Sequence, residues 1–324
     1  MKFTSIPEAY SSFREPLIYA FDTESTTPHD VELKIINRTT GEEIGRKRLY
    51  NVTAGEIDIA PYLRSAARPS LPAAITECGE VETNATIKVV VEAEGKTSSS
   101  RNFIAASVDR DALYTLLTSQ QLHRTMERDE FDIIPYFTWP DIVVSFDVEF
   151  IGYGTECITI TPPSGGQRAV AVTARGREGV DTIRVTVKID GRADTVIEYE
   201  MKQNLRSARR VAWLNRQLAP ELYTFPLRKG VLVEATRHHM ASIWGREAAA
   251  VESRSELKLL SAYEPEKQLK ALAEILSSPR VWLVEGGDIQ GVELTTDRVM
   301  LSPSEQMGII EVDIRAAEEG VLLW

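Results

Sequence analysis

The apolar run LIYAFDTEST ends in Asp22 and Glu24, two carboxylates spaced two apart. Residues at that spacing on a strand share a side, which is what clamping divalent ions for phosphoryl chemistry would require. Such a site also needs further metal-binding carboxylates and a general-base His or Tyr carried on alternating strands and helices, and the sequence has no segments of that kind. The pair reads as two solvated carboxylates at a strand end. His238 and His239, with Glu234 nearby, form the other metal-like group. Adjacent strand residues point to opposite faces, so both imidazoles rarely reach one ion. No Gly-x-Ser-x-Gly marks a strained nucleophile turn. The stretches GYGTE, PSGGQ and EGGD lack a phosphate-loop Lys and a following helix, and read as turns. Cys78 and Cys157 have no metal-type spacing and read as two buried free thiols. No catalytic, cofactor-binding or metal-ligating residue is expected, no cofactor and no enzymatic activity.

Charge narrows the partners. The 324 residues hold 37 basic and 48 acidic side chains, a formal charge of -11, which disfavours a general grip on phosphate backbones or anionic lipid. Residues 202–229 depart from this, with seven basic residues and only Glu221. Trp213, Tyr223 and Phe225 in that segment admit a stacking and phosphate-contact reading. Arginines pairing with the acidic remainder, in the same chain or another copy, is the simpler one. Arg206, Arg209 and Arg210 are therefore candidate interface residues, together with Leu322, Leu323 and Trp324 of EEGVLLW, whose apolar side chains need cover from their own domain or a neighbour. The expected partners are copies of this chain and other proteins, with no nucleic acid, membrane or small-molecule substrate. No apolar run approaches the roughly 18 to 20 residues of a membrane helix. MKFTSIPEAYSSFREPLIYAF lacks the unbroken apolar stretch of a signal peptide, so synthesis in the cytoplasm is expected.

The elements that would carry these residues are mainly strands. In VELKIINRTTGEEIGRKRLY, Val31, Leu33 and Ile35 alternate with Glu32 and Lys34, and Thr40-Gly41 offers a hairpin turn. TIKVVVEAEG repeats the period, with KTSSSRNFIAA as its return, and EIDIAPYLRSA reads as a strand passing into a helical turn. Ile142, Val144, Phe146, Val148 and Phe150 alternate again, RAVAVTA reads as a strand, and TIRVTVKIDGRADTVIEYEMK reads as two strands about Asp190-Gly191. DALYTLLTSQQLHRTMERDEF lacks alternation and reads as a short helix or helical connector, and RSARRVAWLNRQL as a helix. EPEKQLKALAEILSSP is the clearest helix, with Leu269, Leu272, Ala273 and Leu276 on one face and Pro279 as its stop. The expected fold is mainly β and multi-domain: a sandwich-like domain over 1–112, a connector over 113–137, a second β unit over 138–201, and an α+β domain with one packed helix over 202–324.

Several stretches taken in order resemble tail-tip and baseplate structural proteins encoded by phages and prophages of Bacteroides-type bacteria. They are REPLIYAFD, TTGEEIGRKRLY, EIDIAPYLR, LHRTMERDEFDIIPYF, VAWLNRQLAPELYTFP and EKQLKALAEILSSPRVWLVEGG, running from about Phe13 to the C-terminus. The most telling pair is Trp213, Leu214, Asn215, Tyr223, Thr224 and Phe225 followed by LAEILSSPRVWL. Leu218-Ala219-Pro220 stands where that family more usually has a Gly-rich turn. The resemblance implies a non-enzymatic building block that packs into a ring or cap at the distal end of a tail or related injection device, in company with other tail proteins. It also implies incorporation into a virion or prophage-derived particle. The alternative is a carbohydrate- or protein-binding β-sandwich module for host or surface attachment, which exposed Trp or Tyr on a concave sheet face would favour.

Overall fold

The computed structural model describes residues 1–324 apart from 73, 153, 203–206, 244, 286–287, 302–306, 317–320 and 324. The fold is mainly β, with two sandwich-like units followed by a unit built on one large sheet. In the first unit, strands His29–Asn37 and Glu43–Val52 pair antiparallel, and Gly41 between them takes φ 76°, left-handed backbone that glycine adopts without steric cost. Val31, Leu33 and Ile35 are buried, as the alternation requires. Strand Thr86–Ala93 adds to this sheet and carries Lys96–Thr97 and Arg101–Ile104 on its other side. A smaller sheet of Lys2–Ser5, Ile18–Asp22 and Ala54–Asp58 faces it. Helix Ala60–Ala66, with Pro61 in its first turn, adds Leu63 to a core that includes Tyr19, Phe21, Val89, Val91 and Phe103.

The second unit pairs a four-stranded sheet (Tyr114–Leu116, Phe131–Thr138, Gly166–Thr173, Gly79–Val81) with a five-stranded one (His123–Glu127, Arg192–Lys202, Val180–Ile189, Val144–Gly152, Thr155–Ile160). Their core holds Ile134, Tyr136, Phe146, Val148, Phe150, Val170 and Tyr199. The hairpin turn Asp190-Gly191 has φ 47° and 79°, the two positive values of a type I′ turn that matches strand twist.

The connector expected over 113–137, with Asp111–Phe131 read as a short helix or helical turn, instead holds three strands, distributed between both sheets of this sandwich. The misreading has a physical cause. Phe131–Thr138 is buried at every position, Ile134 and Tyr136 in the sandwich core and Phe131 and Ile133 against the C-terminal unit, and a strand covered on both faces loses its alternation. Gly79–Val81, from within the expected 1–112 domain, also joins this second sandwich.

The third unit is an eight-stranded sheet. Pro220–Phe225, Arg209–Leu214, Val281–Glu285, Asp288–Leu294, Glu311–Ala316, Gly245–Leu260 and Leu227–Ser242 follow one another, and Val321–Leu323 pairs with Gly245–Leu260. The expected helix RSARRVAWLNRQL instead holds a strand, Arg209–Leu214, followed by a turn over residues 215–218. Val211 and Trp213 enter this unit's own core while Ala212 packs toward the second sandwich, so the apolar run is covered on both sides. The helix read from EPEKQLKALAEILSSP spans Glu266–Leu272 and tightens to a 3-10 turn over Ala273–Ser277. That tightening brings Ile275 fully into the core beside Leu269 and Leu272, while the expected Ala273 and Leu276 pack against the same core half-buried.

Candidate functional site

The most polar interior of the molecule lies where the second sandwich meets the C-terminal sheet. Asp132, fully buried on strand Phe131–Thr138, accepts a 2.6 Å bond from Arg124 Nη1 and a 2.8 Å bond from Arg210 Nη2. Arg124 stands on the other sheet of the sandwich and Arg210 on the C-terminal sheet, so one carboxylate joins three sheets. Arg124 also donates to Gln121 O (2.9 Å) and Thr118 Oγ1 (2.6 Å). Arg210 donates to Thr224 Oγ1 (2.7 Å) and lies 3.5 Å from Glu130, which accepts the Thr224 hydroxyl at 2.7 Å.

Glu221 forms a second node. It is buried and accepts from Ser119 N (2.7 Å), Thr118 Oγ1 (3.0 Å), Gln120 Nε2 (2.7 Å) and Asn215 Nδ2 (2.9 Å). Burial pushes its carboxyl above the usual range, and the Arg124 charge and those donors oppose the push. Burial pulls Arg124 down, but the nearby Asp132, Tyr199 and Glu221 outweigh it and hold the guanidinium more basic than usual. The Tyr199 phenol, fully buried beside Asp132, is raised by burial first and by that negative charge second. Gln268 on the C-terminal helix closes the network, donating to Gln120 Oε1 (3.2 Å) and accepting from Gln121 N (2.9 Å).

A cleft of about 440 Å³ opens beside these groups. Arg124, Asp132, Arg210, Tyr199 and Gln268 contribute to its buried wall, with His123, Glu200 and Tyr263 exposed and Lys202 half-buried at it. Tyr223 donates its hydroxyl to Glu264 at 2.8 Å and accepts from Ala262 N at 3.0 Å. Burial and the Glu264 charge raise the Tyr223 phenol, and burial raises the Glu264 carboxyl against the lowering effect of the Tyr223 bond.

The residues singled out in the sequence fall elsewhere or are committed differently. Strand Ile18–Asp22 ends at Asp22, and Glu24 lies beyond it at φ 57°, so the two are not alternate residues of one strand. Asp22 Oδ1 accepts the Glu24 backbone N–H at 2.7 Å. His238 and His239 are exposed on Leu227–Ser242 with a register shift between them. Cys78 and Cys157 are free thiols, but Cys157 is exposed and Cys78 half-buried, a correction to the expectation of two buried ones: Cys157 stands on the edge strand Thr155–Ile160, which has one neighbour.

Of the candidate interface residues, Arg206 and Trp324 lie outside the described residues. Arg210 does not stand on an exposed helix face but is 2% exposed and spent within the chain, a correction that follows from its place on a covered strand. Arg209, its neighbour on that strand, points the other way and pairs with Glu285 at 2.8 Å. Leu322 and Leu323 belong to a strand whose backbone pairs with Ala250–Glu252 of the same chain. In the turn that leads to Pro220, Leu218 has φ 53°, where glycine would be unstrained, and Asn215 Oδ1 holds the turn by accepting from Gln217 N and Ala219 N.

Arg124, Asp132, Gln120 and Glu221 were not singled out from the sequence. Their signal was present, since Asp132 interrupts FDIIPYF and Glu221 interrupts PELYTF, single charges inside apolar runs that folding must pair.

No protein-family model and no curated protein matches the sequence. Among solved structures, the chain is similar to the chicken interferon gamma receptor alpha chain, at 10% identity and a TM-score of 0.20, over 61% of this chain and 97% of that one. At that level of superposition the architecture rests on the chain's own sheets.

Proposed function

We propose that the chain is a non-enzymatic structural subunit of a phage tail tip, baseplate or related injection apparatus, acting by self-assembly and by docking to other tail proteins. The observation that carries this reading is the buried clasp. Asp132 is shared between Arg124 and Arg210, and Glu221 is enclosed by four donors, so the charged groups that converge between units are consumed in holding sheets together. Domains joined only by a small polar interface swing by default, whereas a subunit that must keep register in an assembly needs them fixed. The apolar contact of Phe131, Ile133, Ala169 and Ala171 with Ala212, Leu222 and Val284 works in the same direction. Mass spectrometry of purified particles released by the cells that encode the chain tests the reading. Recovery of the chain in fixed proportion to tail proteins is expected; its absence from the particles, with the chain abundant in the cells, would overturn it.

One observation favours a second reading, a carbohydrate- or protein-binding module. Tyr263 is 69% exposed at the cleft, and an exposed ring beside hydrogen-bonding side chains suits the face of a sugar. Glycan-array binding lost in Tyr263→Ala would support it, and no binding by the unmodified chain would remove it.

A further inference from the structure

Between the first sandwich and the second, the chain crosses in a segment without regular structure. Helix Ala60–Ala66 packs on the first core, strand Gly79–Val81 pairs in the second sandwich, and the described residues between them, 67–72 and 74–78, form neither helix nor strand. Pro69 and Pro72 remove two backbone donors, which keeps such a run out of a helix or a central strand. Among the described residues, none of 68–77 takes part in a backbone–backbone hydrogen bond. The polar ties of this stretch are long ones: Arg280 Nη1 donates to Pro69 O at 3.5 Å and Asn84 Nδ2 to Ser70 Oγ at 3.4 Å.

What holds the segment is apolar. Ile75 is 6% exposed and belongs to the cluster that seals the second sandwich to the C-terminal sheet, together with Phe131, Ala169, Ala212 and Val284. Leu71 packs half-buried against the same cluster, as does Trp282. Arg280 stands two residues before Trp282 and four before Val284, on the side of that strand which faces the seam, so its bond to Pro69 reaches the segment from the same side. Arg68, Ala74, Thr76 and Glu77 are exposed. Two apolar anchors thus lie in the seam and much of the remainder faces water.

A part with few apolar contacts and no backbone ladder opens at a lower free energy than the sheets around it. The sheets on either side of the seam are held separately, by their own strand pairing and by Asp132 between Arg124 and Arg210. We propose that the segment between Ala66 and Gly79 is a releasable strap over this seam. Closed, its Leu71 and Ile75 cover the apolar contact between the second sandwich and the C-terminal sheet. Open, they withdraw and uncover it while the Asp132 bonds keep both units in place. Because both ends are fixed, one by Leu63 in the first core and the other by the pairing of Gly79–Val81, the strap lifts without leaving. This device goes beyond the structural-subunit reading and does not rest on it.

Cys78 reports the movement. It stands at the foot of the strap, half-buried, with its thiol bonded to Thr173 O at 3.4 Å and to Thr173 N at 3.3 Å. In Cys157→Ser it is the one thiol left, and its labelling by a thiol reagent is followed in the full chain at rising urea below the unfolding transition. Local opening exposes little surface, so a labelling rate nearly independent of urea is expected there, in contrast to the steep slope of global unfolding. Adding Ile75→Ala, or separately Leu71→Ala, should speed labelling by about tenfold or more at that same shallow slope. Should Ile75→Ala fail to fold, Leu71→Ala, which truncates a half-buried side chain, decides alone. Labelling unchanged by the anchor substitutions, or labelling that follows the urea slope of global unfolding, would overturn the strap.

Discussion

Replacing Asp132 by Ala should cost the fold far more than a typical surface change, and the structure sets the size of the loss. The substitution leaves two buried guanidiniums, of Arg124 and Arg210, without their shared carboxylate. Removing one partner of a buried ion pair costs about 3 to 5 kcal/mol, because the remaining charge stays desolvated. Here the residual partners are good: Arg124 keeps Gln121 O and Thr118 Oγ1, and Arg210 keeps Thr224 Oγ1 with Glu130 at 3.5 Å. The expected loss is therefore at the lower end, about 3 kcal/mol. Since the carboxylate joins three sheets, the loss should fall on the coupling between units. Urea unfolding followed by both far-UV circular dichroism and tryptophan fluorescence reads this directly. The two transitions should coincide in the unmodified chain and separate in Asp132→Ala. The triple replacement Arg124→Met, Asp132→Leu and Arg210→Met should recover part of the Asp132→Ala loss, because it removes the stranded guanidiniums, and not all of it, because buried Glu221 loses the Arg124 charge. A loss below about 1 kcal/mol for Asp132→Ala, with coincident transitions, would refute the claim that this carboxylate holds the units together.

Three further outcomes are expected. Glu221 has its carboxyl raised by burial, so the folded state holds that proton to higher pH than the unfolded one, and its contribution to stability falls as pH rises from the ordinary Glu range through the folded value; the stability difference between the unmodified chain and Glu221→Gln, followed by urea unfolding from pH 4 to 8, should drift in that direction. A Cβ at Gly152 would overlap the backbone carbonyl of Gly179, which has no rotamer to escape into, so Gly152→Ala should lose about 1 to 3 kcal/mol by overpacking; an unchanged melting temperature would show that the loop yields. Exposed Cys157 should react with a thiol reagent well ahead of Cys78, whose thiol is raised by burial and bonded to Thr173, and Cys157→Ser should remove the fast phase.

Where a strand has one face in water, the sequence announced it. Val31, Leu33 and Ile35, or Val144, Phe146, Val148 and Phe150, alternate with polar neighbours because only one side meets a core. The turns at Gly41 and Asp190-Gly191 were legible because left-handed backbone selects few residues. The strands that build the clasp gave the opposite signal. Phe131–Thr138 and Arg209–Leu214 sit between two cores, which removes their period, and Arg210 reads as an interface residue of a helix because its carboxylate partner lies far off in sequence and on another sheet. A buried ion network is a tertiary fact: Arg210 and Asp132 are 78 residues apart, and no local pattern joins them.

The central claim is that this is a building block that associates with its own kind, and its solution mass tests that most directly. Analytical ultracentrifugation of the unmodified full chain, diluted stepwise at low and at high salt, should show a mass that climbs with concentration and falls when salt screens exposed ion pairs between copies. A single monomeric species at every concentration and salt would contradict the account.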